Sequence, residues 1–467
     1  MSPLVLAALI LTVWEVLGRR LPALPRLNLP RISRPAVALG ALALVAGFSG
    51  QLILLAFQAG HDGARPDWVS RTPLLFVDEA FPFGEAHGLI SFAALGLVVA
   101  QTLGLLTLVG AILRGAQGGN DAAPARLAQQ VTPFVAAILA LLAFGSPAVS
   151  SGDVFGYVGL GLLGPHPFER PAHFFTGEYA RVFDSWHLRP TIYGPVFTGL
   201  NAAVVSLGHT FAGKVLALRA LGLVLMLIFA ALVHALARSR ALTAAVVLNP
   251  MLWLQFVTNA HNDLLGMNLL AGALILIARR RPAWAMLLVA AAGLVKFPFV
   301  VFGAVAFARE GPRRAIPYAA GAAALCVAVS AAFAGRPYLD ALTLTARTRA
   351  AFTDPVLNEM KFALSLTTLA VTAFILLRGK FPAFAGWLYT ALAPVLFPWY
   401  LIWAFWYALA ARGAALATVL ALPLLATLSD GIYGLDVLAY ALPLAAFAWL
   451  VLAMRAAPPR RLHPAGG

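Results

Sequence analysis

Four stretches of this chain, residues 2–18, 36–59, 88–113 and 131–149, are almost unbroken apolar runs, each close to the length that spans a bilayer. A helix crossing the hydrocarbon core needs about 20 such residues, and in lipid only helices and closed barrels satisfy their own backbone groups. The runs are too long for strands, so they define an all-α, polytopic membrane bundle. Composition agrees: 61% of the 467 residues are hydrophobic and 11% charged, with a mean hydropathy of +0.86, against about 25% charged in an ordinary soluble domain. Residues 2–18 have no basic segment before them and are followed by Arg19 and Arg20. They read as a retained first helix, not a cleaved signal. The single cysteine, Cys326, excludes a disulfide framework or a cysteine metal site.

The loops sort by charge. Arg19, Arg20, Arg26, Arg31 and Arg34 crowd the first, whereas segment 60–87 carries Asp62, Asp67, Asp78, Glu79 and Glu85, and the third loop has Arg114 and Arg126. Basic loops stay in the cytoplasm, which puts the N-terminus and segment 150–194 outside. Later basic clusters at Arg238/Arg240, Arg279 to Arg281, Arg309/Arg313/Arg314, Arg378/Lys380, Arg412 and Arg455/Arg460/Arg461 must also be cytoplasmic. The excursions between them then include a dipping helix at 195–209, a full span at 212–237, a V-shaped hairpin at 283–308 broken at Lys296 and Pro298, and a second at 382–411 broken at Pro394 to Pro398. On this threading 21 of the 33 Lys and Arg, but three of the 18 acidic residues, are cytoplasmic. The net charge of +15 is thus a topology signal and no nucleic-acid footprint. The threading predicts 12 to 16 membrane helices, several short or broken. They group as N-terminal helices (1–130), a core (131–410) holding external loop 150–194, C-terminal helices (411–457) and a cytoplasmic tail (458–467), all in the cell (plasma or inner) membrane.

Ionisable groups at membrane depth are costly and mark functional sites. Asp153, in Ser150-Ser151-Gly152-Asp153 after the fourth run, is one such group; it could also simply cap a helix. The loop beyond it interleaves aromatic and polar residues, among them Tyr157, His166, Trp186, His187 and Tyr193, which suit a sugar ring and equally suit a headgroup belt. A second group is Asn249-Pro250 followed by Asn259-Ala260-His261-Asn262-Asp263 at an outward turn, where Asn262 or Asp263 could cap the next helix. The spacing of His261 and Asp263 does not resemble a zinc site, and no metal or other cofactor is expected. Lys296 is a lone cation at a helix break: either it snorkels or it holds a buried anion, for which a phosphate is the natural candidate. Lys214, Arg219, Arg336, Arg347, Arg349 and Lys361 fall on the same side.

In order, Asp-Val-Phe-Gly-Tyr (153–157), His-Pro-Phe (166–168), Tyr-Gly-Pro (193–195), Asn-Pro (249–250), Ala-His-Asn-Asp (260–263), Leu-Val-Lys (294–296) and Pro-Trp-Tyr-Leu-Ile-Trp (398–403) resemble the GT-C superfamily of polytopic glycosyltransferases. Within it the pattern is most similar to alpha-1,6-mannosyltransferases that use polyprenyl-phosphate mannose. The likeness runs from about residue 145 to 410. Members of that family more often have Tyr-Ser at 155–156, Asn-Pro-Tyr at 166–168 and His at 397.

The resemblance implies Asp153 as catalytic base and a donor site lined by the 260–263 turn and Lys296. The expected reaction moves a hexose, mannose by the resemblance, from a polyprenyl-phosphate donor to a glycan or glycolipid acceptor on the outer face, with inversion and without metal. Donor and phosphate contacts are expected from Lys296, Arg219, Arg347, Arg349, His261, Asn262 and Asp263. Sugar and acceptor contacts are expected from Tyr157, His166, Trp186, His187, Tyr193, Trp399 and Tyr400. Broken helices and intramembrane His, Asp and Lys also occur in transporters, so a lipid-linked-sugar flippase or small-molecule transporter stands as the alternative. The ionisable groups, however, gather on one face and no two halves match.

Overall fold

A computed structural model describes residues 32–61, 76–77, 88–116, 122–146, 148–149, 153–164, 167–169, 191–340, 368–379, 400, 402–403 and 405–408. The first apolar run, the C-terminal helices and most of the 382–411 hairpin lie outside these residues. Five described helices are long and apolar enough to cross a membrane, six if one bent pair counts as a span. The expected total of 12 to 16 extends to segments outside the described residues.

The first three described helices pack together: α1 (Arg34–His61), α2 (Gly88–Ala116) and α3 (Ala122–Gly145), with α1 along α2 and α2 against α3. Large apolar side chains such as Leu39, Phe134 and Leu141 are exposed on their outer faces, as lipid-facing positions require. Helix α3 starts well before the apolar run expected at 131–149, so Arg126 sits on its first turns and not in a loop. Hydropathy misses this part of the helix because it is polar: Gln129 accepts a hydrogen bond from Arg240 Nη1 at 3.4 Å. Ala148–Val149 (β2) makes a two-residue parallel pairing with Phe76–Val77 (β1) within the all-helical bundle.

The second half of the described structure is built from broken helices. Short α4 (Asp153–Leu162) packs on α5 (Pro195–Ser206), and both contact α6 (Phe211–Ala237), the longest helix of this half. The dipping helix expected at 195–209 and the span at 212–237 are therefore present within a few residues. Next come α7 (Arg240–Val247) and α8 (Pro250–Trp253), bent by 52° at Asn249-Pro250. Pro250 has no N–H to continue α7, and Asn249 Oδ1 accepts from Met251 N at 3.0 Å, capping the new helix.

A π-turn (Leu254–Thr258) follows and leads into α9 (Asp263–Ala278). The expected V-shaped hairpin is α10 (Pro282–Gly293) and α11 (Pro298–Ala304), parted at Lys296 and continued by a 3-10 turn (Val305–Glu310) into α12 (Pro312–Phe333). Residues 335–340 are also helical, and Thr368–Arg378 (α13) and Phe405–Ala408 (α14) follow.

Two glycines fix where the broken elements meet. The Tyr193-Gly194-Pro195 segment lies against the Leu294 break: Gly194 N donates to Val295 O at 3.2 Å and Val196 N to Leu294 O at 3.1 Å. A Cβ at Gly194 would collide with the Leu294 carbonyl, and one at Gly222 of α6 with the Phe256 carbonyl of the π-turn. Both are backbone-to-backbone approaches that no rotamer change relieves. Gly194→Ala is accordingly expected to cost about 1–3 kcal/mol, read as a lower unfolding midpoint in detergent. The control is Gly199→Ala on α5, where an added Cβ meets nothing within 4 Å; it is expected to be neutral or stabilising.

Candidate active site

The break points converge. The end of α3, the start of α4, the 259–262 turn and the Lys296 break all meet at one end of the bundle. Asp153 is the first residue of α4, and its Oδ2 lies 3.1 Å from His261 Nδ1. The imidazole is fully buried while the Asp153 side chain keeps 14% of its surface accessible. The buried ring faces one carboxylate oxygen at ion-pair distance, so the two groups constrain each other as in carboxylate–histidine pairs. Helix capping alone does not account for Asp153, which is tied to a turn remote from it in the chain.

The turn presenting His261 is tightly specified. The π-turn gains a residue over an α-helical turn, a geometry common at functional sites. Asn259 N donates to Leu254 O at 2.9 Å and His261 N to Gln255 O at 3.1 Å. Asn259 Nδ2 reaches Gln255 Oε1 at 3.0 Å. Ala260 takes φ +53°, in the left-handed region that a residue with a Cβ rarely visits. Such strain persists where surrounding contacts over-determine it.

Lys296 has found an anion within the chain. Its Nζ lies 3.0 Å from Asp263 Oδ1, which also accepts from Trp403 Nε1 at 2.9 Å. The ammonium sits 4.4 Å from the centre of the Tyr400 ring and 5.1 Å from that of Trp403, with the two rings stacked at 4.1 Å. Cation–π contacts of this kind gain strength when desolvated. Asp263 Oδ2 and both side-chain polar atoms of Asn262 are buried and have no hydrogen-bond partner among the described residues. Asn262 makes no capping bond to α9, so the capping expected of it is not what the turn uses. Buried orphan polar atoms are rare in folded proteins and call for an explanation.

Beside these pairs, Tyr157, Tyr193 and Phe197 pack edge to face. The two tyrosine hydroxyls are 3.4 Å apart, and Asn201 Nδ2 donates to Tyr157 O at 2.7 Å.

Two expected cations are used differently. Lys214 Nζ donates to Val205 O and Gly208 O at 3.2 and 2.6 Å, capping the end of α5. Arg219 is 1% exposed and gives its bonds to backbone carbonyls: Nε to Thr258 O at 3.0 Å and Nη1 to Phe144 O and Ser146 O at 3.0 and 2.6 Å. Of the other expected site residues, His166, Trp186, His187, Arg347, Arg349 and Trp399 lie outside the described residues. Sequence reasoning passed over Gln255, Asn201 and Trp403. The first two carried a signal, an amide inside an apolar run; Trp403 closed a quoted motif but gave no hint of its bond to Asp263.

A bundle with five described helices long and apolar enough to cross a membrane marks an integral membrane protein. Residues 44–309 match the family described as alpha-(1->6)-mannopyranosyltransferase, N-terminal domain. The match covers more than half of the chain, which belongs to that family and is a glycosyltransferase of alpha-1,6-mannosyltransferase type. No curated protein and no solved structure matches it. The matched range holds Asp153, Arg219, the 259–263 turn and Lys296, and ends before Tyr400 and Trp403.

The buried pair yields a stability prediction. Lys296→Met leaves Asp263 charged without its cation, which is expected to cost about 3–5 kcal/mol in thermal unfolding. Adding Asp263→Asn should restore part of the loss. A double variant as unstable as the single one would contradict the pairing.

Proposed function

We propose that the protein transfers mannose from a polyprenyl-phosphate donor to a hydroxyl of a glycan or glycolipid acceptor, with Asp153 as general base. The observation that carries this reading is an accessible carboxylate held from behind by a fully buried imidazole at 3.1 Å. His261 orients the carboxylate through one oxygen, and the accessible part of the group takes the acceptor proton. As the hydroxyl oxygen attacks the anomeric carbon, the bond from that carbon to the phosphate oxygen breaks, and polyprenyl phosphate departs with its electron pair. A single displacement of this kind inverts the anomeric centre.

Lys296 offsets the charge growing on the leaving phosphate, joined by Arg347 and Arg349, and no step calls for a metal. Asp263 shares Lys296 in the resting state and holds it in place. Its second oxygen and the Asn262 amide are positioned to receive hydroxyls of the donor. Tyr157, Tyr193 and Tyr400, with His166, Trp186, His187 and Trp399, line the sugar and acceptor path.

The reaction face is the extracytoplasmic one, with the C-terminus cytoplasmic. Support comes from charge placement on two helices that run away from the site. Helix α6 ends at Ala237 next to Arg238 and Arg240, and α9 starts at Asp263 and ends beside Arg279 to Arg281. Basic clusters at the far ends of both helices favour a site opposite the cytoplasm.

Membranes carrying the protein, supplied with radiolabelled polyprenyl-phosphate mannose and acceptor lipid, should form labelled glycan. Asp153→Ala should lose about 10²–10⁴-fold in rate while expressing and melting as the wild type does. Transfer by Asp153→Ala at the wild-type rate would remove Asp153 from the mechanism. Label that crosses the bilayer without forming product would instead support a flippase.

A further inference from the structure

Among the described residues, Arg219 is the one buried arginine whose partners connect the two chain segments that supply the catalytic pair. It projects from α6 and reaches the carbonyls of Phe144 and Ser146, at the end of α3, from which the chain runs through β2 to Asp153. Its Nε reaches the carbonyl of Thr258, from which the chain runs through Asn259 and Ala260 to His261. A second link joins the same segments: Thr258 Oγ1 donates to Ala143 O at 2.8 Å. Gly222, one turn along α6, lets that helix approach the π-turn closely enough for both links to form.

The charge of Arg219 is met by dipoles. Phe144 belongs to the last turn of α3, whose carbonyls have no helical partner and carry the negative end of the helix dipole. A buried cation without a carboxylate is costly, and the planar guanidinium directs two nitrogens along fixed lines, which a lysine cannot imitate. One terminal nitrogen, Nη2, has no partner among the described residues. These bonds leave Arg219 pointing at backbone, a poor arrangement for a residue expected to hold the donor phosphate.

We infer that Arg219 is a positioning residue: with Thr258 it clamps the end of α3 to the π-turn and so sets the Asp153–His261 contact at catalytic distance. The inference rests on the reading of Asp153 as general base. Arg219 touches neither reacting atom; it acts through the pair, and loosening it lets the carboxylate turn away from the incoming hydroxyl.

The test uses the full-length enzyme in lipid nanodiscs with polyprenyl-phosphate mannose and acceptor lipid, comparing Arg219→Lys, His261→Ala, their double variant, Thr258→Val and Thr258→Ser. A displacement of about 1 Å at a reacting group costs about 10²-fold, so Arg219→Lys should lower kcat by that order with little change in donor KM. Arg219→Lys combined with His261→Ala should be no slower than the slower single variant, because both act on one contact. Thr258→Val should show the same pattern more weakly, and Thr258→Ser should recover wild-type kcat.

A donor KM raised about tenfold at unchanged kcat would instead make Arg219 a phosphate ligand and overturn the inference. Effects of Arg219→Lys and His261→Ala that multiply would overturn it as well. Should Arg219→Lys not fold, the cycle of Thr258→Val with His261→Ala decides in its place: non-multiplying effects support the clamp, and multiplying effects overturn it. A wild-type enzyme that transfers no mannose overturns the proposed function and this inference together, whereas wild-type transfer with multiplying effects overturns this inference alone.

Discussion

Every charge buried in this bundle has to be met by something within the bundle, and the arrangement of the broken helices follows from that constraint. An uncompensated ion in a low-dielectric interior is costly beyond what packing can offset. Lys296 is met by Asp263 and two aromatic faces, the Asp153 carboxylate by the His261 ring, Lys214 by the open end of α5, and Arg219 by the open end of α3. Each of the first two pairs joins residues from separate elements. The polar end of the bundle is therefore a cross-linked unit, while the rest packs by shape.

The helix breaks make those pairings possible. A continuous helix through 240–278 would carry Asn259 to Asp263 along its flank, with no partner in lipid. The Pro250 bend and the π-turn bring them to the polar end instead, where the start of α9 and the end of α3 supply open backbone groups. The Leu294–Lys296 break does the same for the α10–α11 hairpin, and Gly194 lets a second stretch of backbone satisfy it. Irregular backbone is tolerated at membrane depth where protein buries it, and here the protein that buries it also builds the candidate site.

The spans were legible because hydropathy over twenty residues is a long-range signal: α1, α2, α5 and α6 fall close to their expected limits, and Pro298 and Lys296 marked the hairpin break. The start of α3 was not, since its first turns are polar and only the contact with Arg240 shows why. Asp153, His261, Asp263 and Lys296 could be singled out because ionisable residues are conspicuous in an apolar sequence. Their pairing could not be read, because sequence separation hides which helix faces which. Lys296 shows the limit well: its isolation demanded an anion, and the chain's own Asp263 meets the demand that a phosphate was expected to meet. Arg219 shows the converse, a conspicuous cation whose partners are backbone carbonyls, which carry no residue-type signature.

If the polar end of the bundle is the catalytic site, the donor must be read by the Asp153–His261 and Asp263–Lys296 pairs. A structure of the enzyme with a non-hydrolysable polyprenyl-phosphate mannose analogue tests this most directly. The phosphate is predicted to lie against Lys296 and the anomeric carbon to face Asp153, with room for an acceptor hydroxyl within about 3 Å of its carboxylate. A phosphate bound at Arg219, or a sugar seated at the opposite end beside Arg238 and Arg279, would contradict it.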